Sequence, residues 1–198
     1  DAQCALALVT TSQAFARAQE SDASAVSLRD VRRVCLLLDF FTSHLVPRER
    51  AEKAKVTPLA AAMVLSLAFV YLYRLPSSAA RGRYWEAMRG AITHLRFGQD
   101  KKFDKCGFRA FVLEGSFQRV IAQVQRRFVQ HVAVEEGVAL NEALSENLFV
   151  SIVCILNKLP LFLVGKPGTS KTLTMQVAAA CGVTNRHPAL TPTLAMRR

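Results

Sequence analysis

The stretch PLFLVGKPGTSKT, residues 160–172, decides the fold class of this chain. Pro160 begins a short apolar run that is typical of a buried strand, because proline is tolerated at the first residue of a strand. A glycine-containing loop, 165–170, comes next, and a helix is predicted from Lys171 to about Gly182. Helix, buried strand, glycine loop and helix in this order predict the start of an α/β nucleotide-binding domain.

The segment GKPGTSKT, 165–172, is typical of a phosphate-binding loop. In the pattern G-x-x-x-x-G-K-[ST], the lysine contacts the β and γ phosphates and the hydroxyl binds Mg²⁺. Gly165, Lys171 and Thr172 fit this pattern, whereas Ser170 stands where the second glycine belongs. We therefore predict that ATP and Mg²⁺ are cofactors and that the Thr172 hydroxyl binds the metal. The predicted phosphate-binding residues are Gly165, Lys166, Pro167, Gly168, Thr169, Ser170, Lys171 and Thr172. A chance glycine turn before a helix is the competing interpretation.

Hydrolysis needs a second apolar strand that ends in Asp-Glu, to hold Mg²⁺ and activate water. The near match VCLLLDFF, 34–41, places Asp39 at the acidic position. It precedes the loop, Phe40 replaces the glutamate, and its surroundings have helical periodicity. We interpret Asp39 as a carboxylate on a helix surface. We predict no catalytic residue in this sequence and no ATPase activity by this chain alone.

The remaining sequence predicts helices. In SLRDVRRVCLLLDFFTSHL, steps of three and four place one apolar face toward a core. Ser27 is expected to cap this helix, with Asp30 as the carboxylate of a capping box. Further helices are predicted at 59–73, 84–95 with a buried Trp85, 117–128 and 140–155. The predicted apolar faces comprise Val31, Val34, Leu38, Phe41 and Leu45; Phe117, Val120 or Ile121, Val124 and Phe128; and Leu140, Leu144, Leu148, Ile152 and Ile155.

Composition excludes several classes of protein. Hydrophobic residues make up 51% of the 198 residues, which excludes general disorder. The apolar segment 59–73 is shorter than the roughly 20 residues of a spanning helix, so we interpret it as a buried helix and expect no membrane span. The net charge is +11, but the basic residues are scattered, so we expect solvated faces and no nucleic-acid partner. Five dispersed cysteines without C-x-x-C spacing predict reduced thiols in a cytosolic or nuclear compartment, and no zinc site.

The segment LNEALSENLFVSIVCILNKLPLFLVGKPGTSKTLTMQ, 140–176, closely resembles the start of an AAA+ module in the mysterin family. Mysterins are giant proteins that join dynein-like AAA+ modules to a RING-containing E3 ubiquitin ligase. Their loop commonly reads GKPG-[ST]-SK-[ST], so Lys166 and Ser170 agree with the family. AVSLRDVRRVCLLLDFF, 25–41, resembles the S-x-R-D helix of the small lid subdomain, and LAAAMVLSLAFVYLYRL, 59–75, the apolar helix after it.

The resemblance implies a mainly α fold with a short α/β segment. Residues 1–135 would be the helical lid of one AAA+ module, and 136–182 the N-terminal helix, first strand, P-loop and first helix of the next. Residues 183–198 would be an irregular tail, with truncation as one explanation. Arg29 matches the position of a sensor arginine for nucleotide in the preceding module; a surface arginine is the alternative. The chain is then expected to be a fragment of a tandem array.

At the level of the parent protein, the resemblance implies a cytoplasmic ATP hydrolase and ubiquitin transferase. ATP binding and hydrolysis would drive conformational change. The expected partners are nucleotide, neighbouring AAA+ modules in the same chain and, through regions outside this sequence, the ubiquitin machinery. Two alternatives stay open: a mechanical ATPase of the dynein or midasin type, and a scaffold that binds nucleotide without hydrolysing it.

Overall fold

A computed structural model describes residues 2–19, 26–45, 56–94, 107–112, 115–132, 134 and 137–183. All regular secondary structure in these ranges is helical, which confirms the mainly α prediction. The chain divides into two compact units, Asp1–Ile121 and Ala122–Arg198. The predicted tail 183–198 lies outside the described residues except for Val183.

In the residues described, the first unit contains four long helices, three short helical segments and the first part of a fifth long helix. Helix α2 packs against α3, and α1 packs against α4. A π-helical turn extends both α2 and α3, and a 3₁₀ helix follows α4. The elements are α1 (Ala2–Gln19), α2 (Leu28–Phe40), the π-helix Phe41–Leu45, α3 (Pro58–Leu67), the π-helix Ala68–Leu72, α4 (Ser78–His94), the 3₁₀ helix Phe108–Val112 and the first part of α5 (Ser116–Val129).

Helix α2 begins at the predicted capping box. The Ser27 hydroxyl accepts a hydrogen bond from the Arg29 N–H at 3.3 Å, and the Asp30 carboxylate accepts one from the Ser27 N–H at 3.0 Å. Asp30 is buried, and its carboxylate also forms ion pairs with Arg33 at 3.1 Å and Arg74 at 3.8 Å. The cap therefore also ties the start of α2 to the residues that follow α3.

The core face of α2 includes two residues that its periodicity predicted, Val34 and Phe41. Leu37 and Phe40 are buried beside them, whereas Leu38 is only half-buried. The buried face is thus centred one residue earlier than expected. The predicted Leu45 ends the π-helix, and its side chain lies outside the described residues.

Helix α3 is the buried helix that its composition predicted. Thr57 caps it by accepting from the Ala60 N–H at 3.3 Å, and Pro58 occupies its first turn. Every residue of the range 60–67 is buried. Within the described ranges, no helix is long and apolar enough to cross a membrane.

Helix α4 begins earlier than predicted, because the Ser77 hydroxyl accepts from the Ala80 N–H at 3.2 Å and caps it. Gly82 therefore lies inside a helix and not in a loop. Trp85 is buried, as expected, with its ring 4.7 Å from that of Phe117. Phe117 in turn stacks on Phe111 at 4.8 Å.

The second unit contains the remainder of α5, α6 (Glu142–Leu156) and α7 (Lys171–Val183). Asn141 caps α6 by accepting from the Leu144 N–H at 2.8 Å. Helix α6 packs against α7, and Phe128 of α5 contacts Phe149 edge to face at 5.1 Å. Of the predicted faces, Phe117, Ile121, Val124, Phe128, Leu144, Leu148 and Ile152 are buried, Val120 is half-buried, and Leu140 and Ile155 are exposed.

The predicted buried strand before the glycine loop is absent from this structure. Residues 160–164 have no regular secondary structure, and Phe162 and Val164 are 89% and 94% exposed. A strand forms only when another strand pairs with its backbone N–H and C=O groups. No segment of the described residues offers such an edge, so the short α/β segment is not formed here.

Candidate phosphate-binding loop

The candidate loop, 165–170, turns into α7 through two residues in the left-handed backbone region. Gly168 has φ of 81° and Ser170 has φ of 55°. Only glycine adopts this region without a steric cost. Ser170 thus keeps the backbone conformation suited to the glycine that the general pattern places there.

Gly165 is required by packing within the loop. A Cβ atom at this position would lie 3.0 Å from the Thr169 hydroxyl oxygen and 3.9 Å from the Lys171 ammonium nitrogen. The Thr169 hydroxyl is held in place because it donates to the Lys166 carbonyl at 2.8 Å. A larger residue at 165 would have to displace this hydroxyl.

Lys171, the first residue of α7, folds its ammonium group back into the loop. The group donates to the carbonyls of Gly165 at 2.8 Å and Lys166 at 2.7 Å, and to the Thr169 hydroxyl at 3.1 Å. A positive charge is therefore concentrated where the loop meets a helix N-terminus. Helix N-termini favour anions, because their first N–H groups lack partners within the helix.

Two other side chains hold the remaining carbonyls on the α7 side of the loop. Thr174 is buried and donates its hydroxyl to the Ser170 carbonyl at 2.7 Å. The same carbonyl also accepts a hydrogen bond from the Thr174 backbone N–H at 2.8 Å. Asn147 of α6 donates its side-chain N–H to the Thr169 carbonyl at 3.3 Å. Sequence reasoning missed Asn147, because no motif links it to a carbonyl that lies 22 residues later in the chain.

The remaining predicted site residues are accessible. Lys166, Pro167 and Thr172 are exposed, with Thr172 in the first turn of α7. These positions bring all eight predicted residues into one loop and helix start. Their contacts with nucleotide, and that of Thr172 with Mg²⁺, stay predictions.

Two residues considered for nucleotide chemistry lie in the first unit. Arg29 is exposed at the second position of α2, where its backbone takes part in the cap. Asp39 is exposed on the same helix, as interpreted. The sensor role of Arg29 stays a prediction.

The described cysteines include no disulfide partners. Cys4 and Cys154 have buried thiols, and Cys35 has an exposed one. Within the described ranges, no group of His, Cys, Asp and Glu side chains is arranged to hold a metal ion.

Comparison with known proteins confirms the resemblance to the mysterin family. A family model described as "RNF213 AAA domain" matches residues 137–189. The chain is 32% identical over 176 residues to the E3 ubiquitin-protein ligase rnf213-beta of Danio rerio, with 87% of the chain covered. It is 31% identical over 184 residues to the human E3 ubiquitin-protein ligase RNF213, also with 87% covered, and 28% identical over 189 residues to the mouse protein, with 89% covered. The chain spans only 3% of the length of each relative. No solved structure matches it.

Proposed function

We propose that this chain is an ATP-binding AAA+ segment of a mysterin-like E3 ubiquitin ligase. The observation that carries the proposal is the position of the Lys171 ammonium, which contacts Gly165, Lys166 and Thr169 inside the loop. That position lies beside the N-terminus of α7, where an anionic ligand is favoured. The match of residues 137–189 to an RNF213 AAA domain supports the same assignment.

The residues present fit a nucleotide phosphate group. When phosphate binds, the Lys171 ammonium exchanges its bonds to two carbonyls for bonds to β and γ oxygens, which are charged and therefore stronger acceptors. The loop N–H groups would donate to the phosphates, and the Thr172 hydroxyl would bind Mg²⁺. Bound Mg²⁺ neutralises phosphate charge. Gly165 and Gly168 have no side chain and Ser170 has a small one, so the loop backbone can approach the ligand closely.

The exposed segment 160–164 has a role in this proposal. In the intact AAA+ domain it becomes the strand that precedes the loop, once a neighbouring strand pairs with its backbone. Phe162 and Val164, now 89% and 94% exposed, are then buried. This pairing would fix the entry of the chain into the loop at Gly165.

The proposed arrangement spans two modules. Residues 1–135 form the lid of one AAA+ module, and 136–182 begin the next. Arg29, which is exposed at the start of α2, then serves as a sensor for nucleotide in the first module. Neighbouring AAA+ modules are the expected partners in the same chain, and nucleotide is the expected ligand.

Catalysis and ubiquitin transfer are assigned to other regions of the parent protein. This sequence lacks the acidic strand that water activation needs, so the chain binds ATP without turning it over. Hydrolysis in the complete cytoplasmic protein drives its conformational change. A RING outside this sequence provides ubiquitin transfer.

Photocrosslinking tests the proposal at this site in particular. The intact parent protein is titrated with a photoreactive ATP analogue in Mg²⁺, and label is quantified on the segment 137–183. Lys171→Ala removes charged hydrogen bonds of about 1.5–3 kcal/mol, so we expect at least about tenfold weaker labelling. Lys158→Ala is the matched control, because it removes the same charge from an exposed position that follows α6 and lies outside the loop. Unchanged labelling in Lys171→Ala, or equal losses in both variants, would contradict the proposal.

A further inference from the structure

The carbonyl groups of the loop decide where its N–H groups point. In a trans peptide, the C=O of one residue and the N–H of the next point in opposite directions. No cis peptide occurs in the described residues. A donor that holds one loop carbonyl therefore also directs the following N–H to the opposite side of the loop.

Three of these carbonyls are held from within the loop or α7. Lys171 binds the carbonyls of Gly165 and Lys166, and Thr174 binds that of Ser170. The Thr169 carbonyl differs, because its donor is Asn147 on α6. Asn147 is half-buried and directly precedes Leu148 and Phe149, both fully buried, so its backbone is set by the core of the second unit.

The peptide between Thr169 and Ser170 needs such an anchor. Ser170 has φ of 55°, a conformation that disfavours any residue with a Cβ atom. Rotating this peptide would return Ser170 to negative φ, as in the change from a type II to a type I turn. The same rotation would turn the Thr169 carbonyl away from Asn147 and would reverse the direction of the Ser170 N–H.

We infer that Asn147 is a positioning residue of the phosphate loop: its hydrogen bond to the Thr169 carbonyl keeps the Ser170 N–H directed at bound phosphate. The inference rests on the proposed function. Asn147 acts through the Thr169–Ser170 peptide and does not touch nucleotide itself. It opposes the relaxation that the serine at position 170 would otherwise favour.

The same photocrosslinking titration on the intact parent tests this role. Removing one neutral hydrogen bond in Asn147→Ala should weaken labelling of the segment 137–183 about three- to tenfold. Asn147→Asp keeps the shape of the side chain but places a carboxylate against a carbonyl, so its loss should be larger than that of the alanine variant. A role in packing alone predicts the reverse order. Tripolyphosphate, used as competitor, should lose affinity by the same factor as the ATP analogue.

Two further variants separate positioning from stability. Asn157→Ala is the matched control, since Asn157 also lies at α6 and donates to a single carbonyl, that of Val153, at 2.8 Å. Removal of the Asn157 side chain should leave labelling of the segment 137–183 unchanged. In a Ser170→Gly background, the loss caused by Asn147→Ala should shrink, because a glycine at this position no longer favours the rotated peptide.

The outcomes distinguish the inference from the proposed function. If Lys171→Ala weakens labelling but Asn147→Asp labels like the parent, the positioning role is wrong and nucleotide binding stands. If the loss from Asn147→Ala is the same in the parent and in the Ser170→Gly background, the peptide-rotation argument is overturned. If Lys171→Ala labels like the parent, the proposed function fails and the inference fails with it.

Discussion

Ser170→Gly should leave nucleotide binding intact and make the second unit slightly more stable. The left-handed conformation at φ of 55° costs a residue with a side chain roughly 1–2 kcal/mol. Glycine removes this cost but adds about 0.5–1 kcal/mol of backbone entropy to the unfolded state. The net gain in unfolding free energy is therefore about 0–1.5 kcal/mol. ATP affinity should change less than about twofold, which corresponds to about 0.4 kcal/mol.

Denaturant unfolding of the 198-residue chain, followed together with the crosslinking titration, measures both quantities. Lys158→Gly is the matched control, because Lys158 has φ of 54° at the end of α6 and lies outside the loop. Gly168→Ala should destabilise by about 1 kcal/mol for the opposite reason, since φ there is 81° and an added Cβ meets no atom within 4 Å. If Ser170→Gly destabilises while Lys158→Gly stabilises, the serine side chain contributes more than its backbone costs, and the reasoning is refuted.

Three other predictions concern the first unit. Asp30→Ala should lower the unfolding free energy by about 1–3 kcal/mol, because it removes the capping-box acceptor and the ion pairs with two half-exposed arginines. Asp39→Ala is the control, because Asp39 is exposed on the same helix. Equal effects of the two variants would contradict the role of burial. Gly82→Ala should stabilise by about 0.5–1 kcal/mol, because alanine is the better helix former and its Cβ meets no atom within 4 Å; a loss of stability in chemical denaturation would show that α4 is not helical there. Burial raises the pKa of the Tyr84 phenol above its ordinary value of 10.0. The contribution of the protonated phenol to the unfolding free energy is therefore complete below pH 10 and is lost as the pH rises further. Tyr84→Phe should therefore make unfolding free energy fall less steeply above pH 10, and an unchanged slope would exclude Tyr84 as a source of alkaline instability.

Local features were predictable from the residues themselves. The capping box of Ser27 and Asp30 involves groups three positions apart, and it was found as predicted. The buried face of Phe117, Ile121, Val124 and Phe128 follows from helical periodicity alone. The candidate phosphate loop could be proposed from sequence because phosphate binding needs glycine, lysine and a hydroxyl residue at fixed spacings.

Features that depend on distant contacts were not predictable. The apolar pattern at 160–164 predicted a strand, but strand formation depends on a neighbour, and the described residues hold none. The local sequence favours an extended backbone, but the N–H and C=O groups of that backbone form hydrogen bonds only when a neighbouring strand is present.

The residues alone therefore determined the helical character of this chain and the position of the candidate loop, because caps, periodicity and loop motifs act over a few positions. Tertiary structure decided the sign of φ at Ser170, the donor that holds the Thr169 carbonyl, and the ion pair of Asp30 with Arg74. Asn147 reaches the loop only because α6 packs against α7 and brings its side chain to the Thr169 carbonyl. A hydrogen bond between residues far apart in sequence exists only where packing places donor and acceptor about 3 Å apart, and no local pattern encodes that distance.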